Sequence, residues 1–88
     1  MMIVELALTL DPERLAARPA HREKLAVLHA DGRLIAAGPW EGDTGALLLF
    51  DVERPELELI LDADPYYRTP GVEVAAVREW NPVFGLSR

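Results

Sequence analysis

The sequence predicts an α+β fold of the ferredoxin-like type, in which a four-stranded antiparallel sheet carries two helices on one face. Four segments are apolar at alternating positions, which is typical of strands, and two segments between them repeat apolar residues every three or four positions, which is typical of helices. Their order along the chain is β-α-β-β-α-β. Right-handed crossovers convert this order into one sheet with both helices on the same face.

The four strands are predicted from this apolar alternation. The first and third strands are apolar on both alternations, which indicates burial on both faces of the sheet. In the fourth strand, strict alternation places Val74 and Val77 on opposite faces. The predicted strands are residues 2–10, 33–39, 46–52 and 72–80.

The first helical region contains a proline that we expect to divide it. Asp11 followed by Pro12 is typical of a helix start. Pro19 has no backbone N–H, and its ring clashes with the carbonyl four residues earlier. We therefore expect a short turn over residues 12–17 and a main helix that begins at Pro19 and ends near Gly32.

The second helix is predicted to begin at Pro55. Leu57, Ile60 and Leu61 follow at helical spacing and form its apolar stripe. Residues 62–71 contain two prolines and are predicted to form the connection to the last strand.

Two helices cover only one face of the predicted sheet, yet three of the strands are apolar on both faces. An uncovered second face would be an apolar patch larger than monomers usually expose. The sequence therefore predicts a homodimer in which two copies pack sheet face against sheet face.

Length and composition predict one domain over residues 1–88 and exclude several kinds of site. The chain has no cysteine, which excludes disulfides, thiolate metal sites and cysteine nucleophiles and fits a reducing cytoplasm. No apolar run approaches the ~20 residues that span a bilayer, and the N-terminus lacks the basic region of a signal peptide. We therefore expect neither a membrane partner nor secretion.

The charge pattern argues against a nucleic-acid partner. The net charge is −6, and the acidic residues are spread along the chain. Phosphate backbones need a basic face. An anionic ligand would have to be held locally, for example by Arg18 or Arg22. Neither a cofactor nor a metal is expected, because the sequence has no phosphate-binding or dinucleotide motif and its two histidines, His21 and His29, lack the spacing of a helical zinc pair.

His21 and Asp64 are the candidate acid–base groups. His21 shares a helix face with Arg18, Leu25 and Leu28, so the imidazole should lie at the edge of the core near the start of the helix, where the helix N-terminus disfavours imidazolium. An imidazole and a carboxylate together can act as an acid–base site. The alternative is a histidine that only satisfies backbone groups at the core edge.

Asp64 and its neighbours also have a structural role as the alternative to an acid–base role. Asp64 precedes Pro65, which favours extended backbone, and an aspartate there is often a turn or helix-end residue. Tyr66 and Tyr67 are typical packing residues with a polar tip. Arg18 is suited to bind a carboxylate through two parallel hydrogen bonds, or to pair with a surface acid.

Several short motifs resemble the YciI-like (YCII-related) family, and their order and spacing match over nearly the whole chain. The motifs are Arg18-Pro19-Ala20-His21, Gly32-Arg33-Leu34, Ala37-Gly38-Pro39, Asp62-Ala63-Asp64-Pro65-Tyr66 and Gly71-Val72.

The resemblance implies a ferredoxin-like fold within the dimeric α+β barrel group and a His/Asp-centred site. It places the catalytic pair on His21 and Asp64. The candidate substrate-binding residues beside them are Arg18, Gly38, Pro39 and Tyr66. One branch of the family eliminates chloride from a chlorinated hydroxyquinone, and the wider barrel group includes muconolactone isomerase.

This chain departs from its relatives at the wall of the expected cleft. The loop Trp40–Gly45 is shorter than in many relatives, and Ala46 stands where they often have a hydroxyl residue. The resemblance therefore does not transfer one substrate to this chain.

The two candidate groups pose a geometric question. In a plain ferredoxin-like fold, the start of the first helix and the end of the second lie at opposite ends. Asp64 therefore reaches His21 only if residues 62–71 fold back or if a partner subunit contributes.

The function expected from these observations is an enzyme that performs proton transfer, elimination or isomerisation on a small organic acid or a hydroxyquinone-like ring. The alternative is a non-catalytic dimer that binds a small ligand or assists another enzyme.

Overall fold

The computed structural model describes residues 1–85 and confirms the predicted element order. The sheet is antiparallel throughout, with the strand order β2-β3-β1-β4. The elements are β1 (Met2–Leu8), α1 (Pro12–Ala30), β2 (Leu34–Pro39), β3 (Gly45–Phe50), α2 (Arg54–Ala63), a short 3₁₀ turn (Pro65–Arg68) and β4 (Val72–Glu79).

The core lies between the helices and one face of the sheet, which we call the inner face. In β1, Met2, Val4, Leu6 and Leu8 alternate onto this face and are buried. They pack in one cluster with residues of both helices, including Leu28, Leu57 and Ile60. Burying this apolar alternation is the main stabilising contribution to the fold.

The opposite face of the sheet, the outer face, is only partly covered in a single chain. Ile3 stands opposite Leu49 on this face, and Glu5 stands opposite Leu47. Leu49 is buried, whereas Ile3 and Leu47 are half-buried. The outer face is therefore apolar at its centre, with one carboxylate among the apolar side chains.

The prediction for the two faces of β4 was wrong because the strand contains a bulge. Leu6 pairs with Val74 and Glu5 pairs with Ala76, so Ala75 is the extra residue. The insertion shifts the alternation by one position. Val74 and Val77 consequently both pack against the core.

The predicted break of the first helix at Pro19 was also wrong. Helix α1 is continuous over Pro12–Ala30 and begins with the Asp11 side chain accepting a hydrogen bond of 2.8 Å from the Glu13 N–H. A proline inside a helix costs about 3 kcal/mol. The helix has buried side chains on both sides of Pro19, namely Arg14 and His21, and their contacts offset this cost.

The continuous helix changes the place of His21. Because α1 begins at Pro12, His21 lies in the middle of the helix and not in its first turn. The middle of α1 lies beside the C-terminal end of α2 and the 3₁₀ turn that follows, so His21 is close to Asp64. Within residues 1–85, no helix is both long and apolar enough to cross a membrane.

Candidate functional site

His21 and Asp64 form a direct hydrogen bond within one chain. The distance between His21 Nδ1 and Asp64 Oδ2 is 2.7 Å, and the two residues are only 6% and 5% exposed. Asp64 directly follows α2 and caps the 3₁₀ turn, where its Oδ1 accepts a bond of 3.0 Å from the Tyr66 N–H. The fold-back of residues 62–71 is therefore sufficient to bring the two groups together.

The Asp64 bond selects which nitrogen of His21 carries the proton. An ionised carboxylate only accepts hydrogen bonds, so Nδ1 must be the donor. In the neutral imidazole, Nε2 then has a free lone pair. Nε2 makes no hydrogen bond to residues 1–85 and is not among their fully buried, unpartnered polar atoms, so it remains accessible to a ligand.

Two tyrosines fix the orientation of the imidazole. The Tyr66 ring stacks on His21 with centroids 3.9 Å apart and planes inclined by 9°. The Tyr67 ring meets the imidazole edge-on, with centroids 5.3 Å apart. Contact with both rings and with Asp64 leaves the imidazole little rotational freedom.

Burial lowers the pKa of His21 below its ordinary value of 6.5. The hydrogen bond and the charge of Asp64 act in the opposite direction, and the nearby Arg22 adds a small lowering effect. Desolvation is the largest of these causes, so His21 is neutral at pH 7. The predicted cause, a nearby helix N-terminus, does not apply because His21 lies in the middle of α1.

His21 lines a cavity of about 240 Å³ between α1 and the inner face of the sheet. Four residues that the sequence singled out as ligand-binding also line it: Arg18, Gly38, Pro39 and Tyr66. Asp64 does not line this cavity and contacts it only through His21. Leu6, Leu48 and Ala46 contribute apolar surface on the sheet side.

The cavity is positively charged although the chain as a whole is acidic. Arg14, Arg18 and Arg22 line it, and Asp43 is the only carboxylate among the lining residues of the described chain. The arginines lie on successive turns of α1 at spacings of four, so one helix face carries all three.

Arg14 and Asp43 were not predicted from the sequence. Arg14 is completely buried, donates from Nε to the Thr9 carbonyl and from Nη1 to the Tyr66 hydroxyl (3.4 Å), and pairs through Nη2 with Asp43 Oδ2 at 3.0 Å. The spacing of Arg14, Arg18 and His21 is four and three, which is a helical signal. The expected break at Pro19 concealed it.

The other candidate residues lie outside the cavity. His29 is exposed near the end of α1. Tyr67 is buried, and within the described chain its hydroxyl is the only fully buried side-chain N or O atom without a hydrogen-bond partner. In residues 1–85, no three His, Asp or Glu side chains are grouped so that they could hold a metal ion.

The fold and the site together define a small α+β domain with a buried His–Asp pair beside a cationic cavity. Comparison with known families identifies the chain over residues 1–81 as a YCII-related domain, and it belongs to that family. It is 35% identical over 83 residues to Protein YciI of Escherichia coli O6:H1 (strain CFT073) and to Protein YciI of Shigella flexneri. Each match covers 82% of this chain and 85% of the relative.

Proposed function

We propose that the protein is an acid–base enzyme that removes a proton from a small anionic substrate, with His21 as the general base. The observation that carries the proposal is the 2.7 Å bond from His21 to Asp64, which leaves Nε2 free beside the cavity. A neutral imidazole with one nitrogen fixed by a carboxylate is the usual form of a histidine base.

In the proposed reaction, Nε2 takes a proton from a carbon next to a carbonyl group, and the electron pair of the C–H bond moves into that carbonyl. Asp64 stabilises the imidazolium that forms, and the arginines stabilise the negative charge that develops on the substrate. Return of the proton to another carbon completes an isomerisation. Departure of an anionic leaving group, with the proton later passing from His21 to water, completes an elimination.

The proposed substrate class follows from the walls of the cavity. Three arginines favour a carboxylate or phenolate group, and the apolar side chains on the sheet side suit a carbon skeleton or a ring. A small organic acid or a hydroxyquinone-like ring satisfies both conditions. The proposed contacts are Arg18 on α1, Tyr66 on the 3₁₀ turn, and Gly38 and Pro39 on β2.

The proposed setting is a homodimer in the cytoplasm. The apolar centre of the outer face, with Ile3 opposite Leu49, supports the dimer. The absence of cysteine suits a reducing compartment.

Exchange of substrate protons with solvent tests the proposal even where the final product is not identified. A panel of small keto acids and hydroxyquinones is incubated with the protein in heavy water, and loss of C–H signals is followed by proton NMR. Replacing a general base lowers such a rate by about 10²–10⁴-fold, so His21→Gln should lose that much exchange. Asp64→Asn should also lose activity, because an amide no longer fixes Nδ1 as the protonated nitrogen.

The control and the pH profile separate catalysis from a structural role. His29→Gln removes an exposed histidine from the same helix and should exchange at the wild-type rate. Burial lowers the pKa of His21 below 6.5, so the imidazole stays neutral down to that pH. The wild-type exchange rate should therefore fall only below pH 6.5, where His21 becomes protonated. Exchange that survives His21→Gln would contradict the proposal. Ligand binding without any exchange would favour the non-catalytic binding module.

A further inference from the structure

We propose that Asp43 occupies the anion-binding position of the cavity in the ligand-free protein, and that a carboxylate of the substrate displaces it from Arg14 and Arg18. The inference rests on the proposed function and deepens it by assigning the anion subsite and the loop that closes it. It names Arg14, which is buried, as the principal anion-binding residue.

The buried charge of Arg14 requires a counter-charge. Its side chain is 1% exposed, and Asp43 at 3.0 Å is the only carboxylate paired with it among residues 1–85. A buried guanidinium without a counter-charge is strongly disfavoured. Arg14 therefore requires an anion at this position, either Asp43 or a replacement.

Asp43 is the member of this cluster that is able to move. Arg14 is also bound to the Thr9 carbonyl and to the Tyr66 hydroxyl, so it stays in place when Asp43 leaves. Asp43 lies in the loop between β2 and β3, and its side chain is 34% exposed. Its carboxylate is therefore able to turn toward solvent when another anion binds Arg14.

Asp43 also forms part of the cavity wall. Of the loop residues 40–44, Asp43 alone lines the cavity, and its Oδ2 also lies 3.7 Å from Arg18 Nη1. With Asp43 in place, the volume of about 240 Å³ is below the range of roughly 300–1,000 Å³ typical of ligand sites. Movement of one side chain and its loop frees both arginines and enlarges the space beside His21.

The arrangement also explains how charge selects the ligand. An anionic ligand that displaces Asp43 keeps Arg14 neutralised, whereas a neutral ligand of the same shape leaves a buried charge unpaired. Arg14 contacts the hydroxyl of Tyr66, whose ring stacks on His21. An anion bound to Arg14 is therefore close to Tyr66, whose ring contacts the proposed base, His21.

Benzoate and its neutral analogue benzamide test the inference by NMR titration. In wild type, Asp43 competes with the ligand, so the apparent affinity is the intrinsic affinity multiplied by the fraction of molecules in which the site is open. Asp43→Asn should therefore bind benzoate at least about fivefold more tightly than wild type. Glu58→Gln removes the same charge from an exposed position outside the cavity and should bind benzoate like wild type. Benzamide should bind weakly to all three proteins.

A second measurement needs no substitution. Benzoate added to wild type should move the backbone amide signals of residues 41–44, and benzamide should not. Unchanged or weaker benzoate binding by a folded Asp43→Asn overturns the inference. Benzoate binding that leaves the loop signals in place, or no benzoate binding by any variant, also overturns it.

Comparison of the two assays on the wild-type protein distinguishes this inference from the proposed function. The benzoate affinity and the loop response require no turnover, whereas proton exchange does. Loss of proton exchange as the only failure would remove the catalytic proposal and leave the anion subsite intact. Failure of the loop response with exchange retained would remove only the role of Asp43.

Discussion

At the residue scale, the contact between His21 and Asp64 depends on long-range features of the fold. His21 and Asp64 were recognisable because few side chains can act as acid–base groups near pH 7, and this chain has only two histidines. Their 2.7 Å contact depends on the continuation of α1 through Pro19 and on the 3₁₀ turn after α2. Neither feature is encoded in a short motif.

Arg14 shows why the remaining cavity residues could not be predicted. A buried arginine is rare, and its identity as a core residue depends on partners distant in sequence, the carboxylate of Asp43 and the hydroxyl of Tyr66. Local patterns do not report such long-range pairing. An arginine at this position is therefore predicted as a surface residue unless the helix register is known through Pro19.

Tyr67 supports a stability prediction, because its hydroxyl is buried and has no hydrogen-bond partner within the described chain. Burial and the negative charge of Asp64 raise the pKa of Tyr67, so the hydroxyl stays neutral. An unsatisfied buried hydroxyl costs about 1–3 kcal/mol. Tyr67→Phe should therefore increase the free energy of unfolding by about 1 kcal/mol, as measured by urea denaturation.

The neighbouring tyrosine provides the matched control. The hydroxyl of Tyr66 accepts a bond from Arg14, so Tyr66→Phe removes a partner from a buried cation and should destabilise the protein. A destabilised Tyr67→Phe would show that the hydroxyl has a stabilising partner, such as an ordered water, and would contradict the prediction.

At the element scale, the strands were predicted correctly in number and place because their apolar alternation is the same signal that buries them. The errors occurred where contacts between residues distant in sequence overrode a local rule. The rule that proline breaks helices failed in α1, where Arg14 and His21 are buried on either side of Pro19. The alternation rule failed in β4, where the bulge at Ala75 depends on the pairing with β1.

Pro19 supports the element-scale prediction. The side chain is exposed, so its replacement leaves no cavity, and an N–H at this position would be able to bond the Leu15 carbonyl. Proline is about 3 kcal/mol less favourable than alanine inside a helix, partly offset by its lower entropy when unfolded. Pro19→Ala should therefore increase the free energy of unfolding by about 1–2 kcal/mol.

Urea denaturation of Pro19→Ala and of Ala20→Gly measures this effect. The second variant changes the neighbouring exposed position in the unfavourable direction and should destabilise by about 1 kcal/mol. If Pro19→Ala lowered the stability, the proline would be a favourable part of α1, and the view that buried contacts hold the helix together against it would be wrong.

At the scale of the whole molecule, the order β-α-β-β-α-β was sufficient to predict the ferredoxin-like fold, because handedness and short connections leave few alternatives. The order also explains the cavity. Helix α1 crosses the inner face of the sheet and holds the arginines and His21 over β1, β2 and β3, and the end of α2 brings Asp64 to the other side of the imidazole.

The outer face of the sheet leads to the last prediction, that two copies associate through it. A homodimer interface of ordinary size buries about 800 Å² on each partner, and a four-stranded sheet face is suited to provide such a surface. Sedimentation equilibrium at micromolar concentration should give twice the chain mass of 9.8 kDa. Leu47→Glu places a carboxylate opposite Glu5 on this face, and repulsion with desolvation should shift the protein to a monomer.

Leu59→Glu is the matched control, because it adds the same charge at an exposed leucine on α2, away from the outer face. It should leave the mass at twice that of the chain. A wild-type protein that sediments as a monomer would contradict the dimer, and a dimer that persists in Leu47→Glu but dissociates in Leu59→Glu would place the interface on the helices. The cavity lies between α1 and the inner face, so the monomeric Leu47→Glu variant should keep the His21–Asp64 pair and show whether one chain alone binds benzoate.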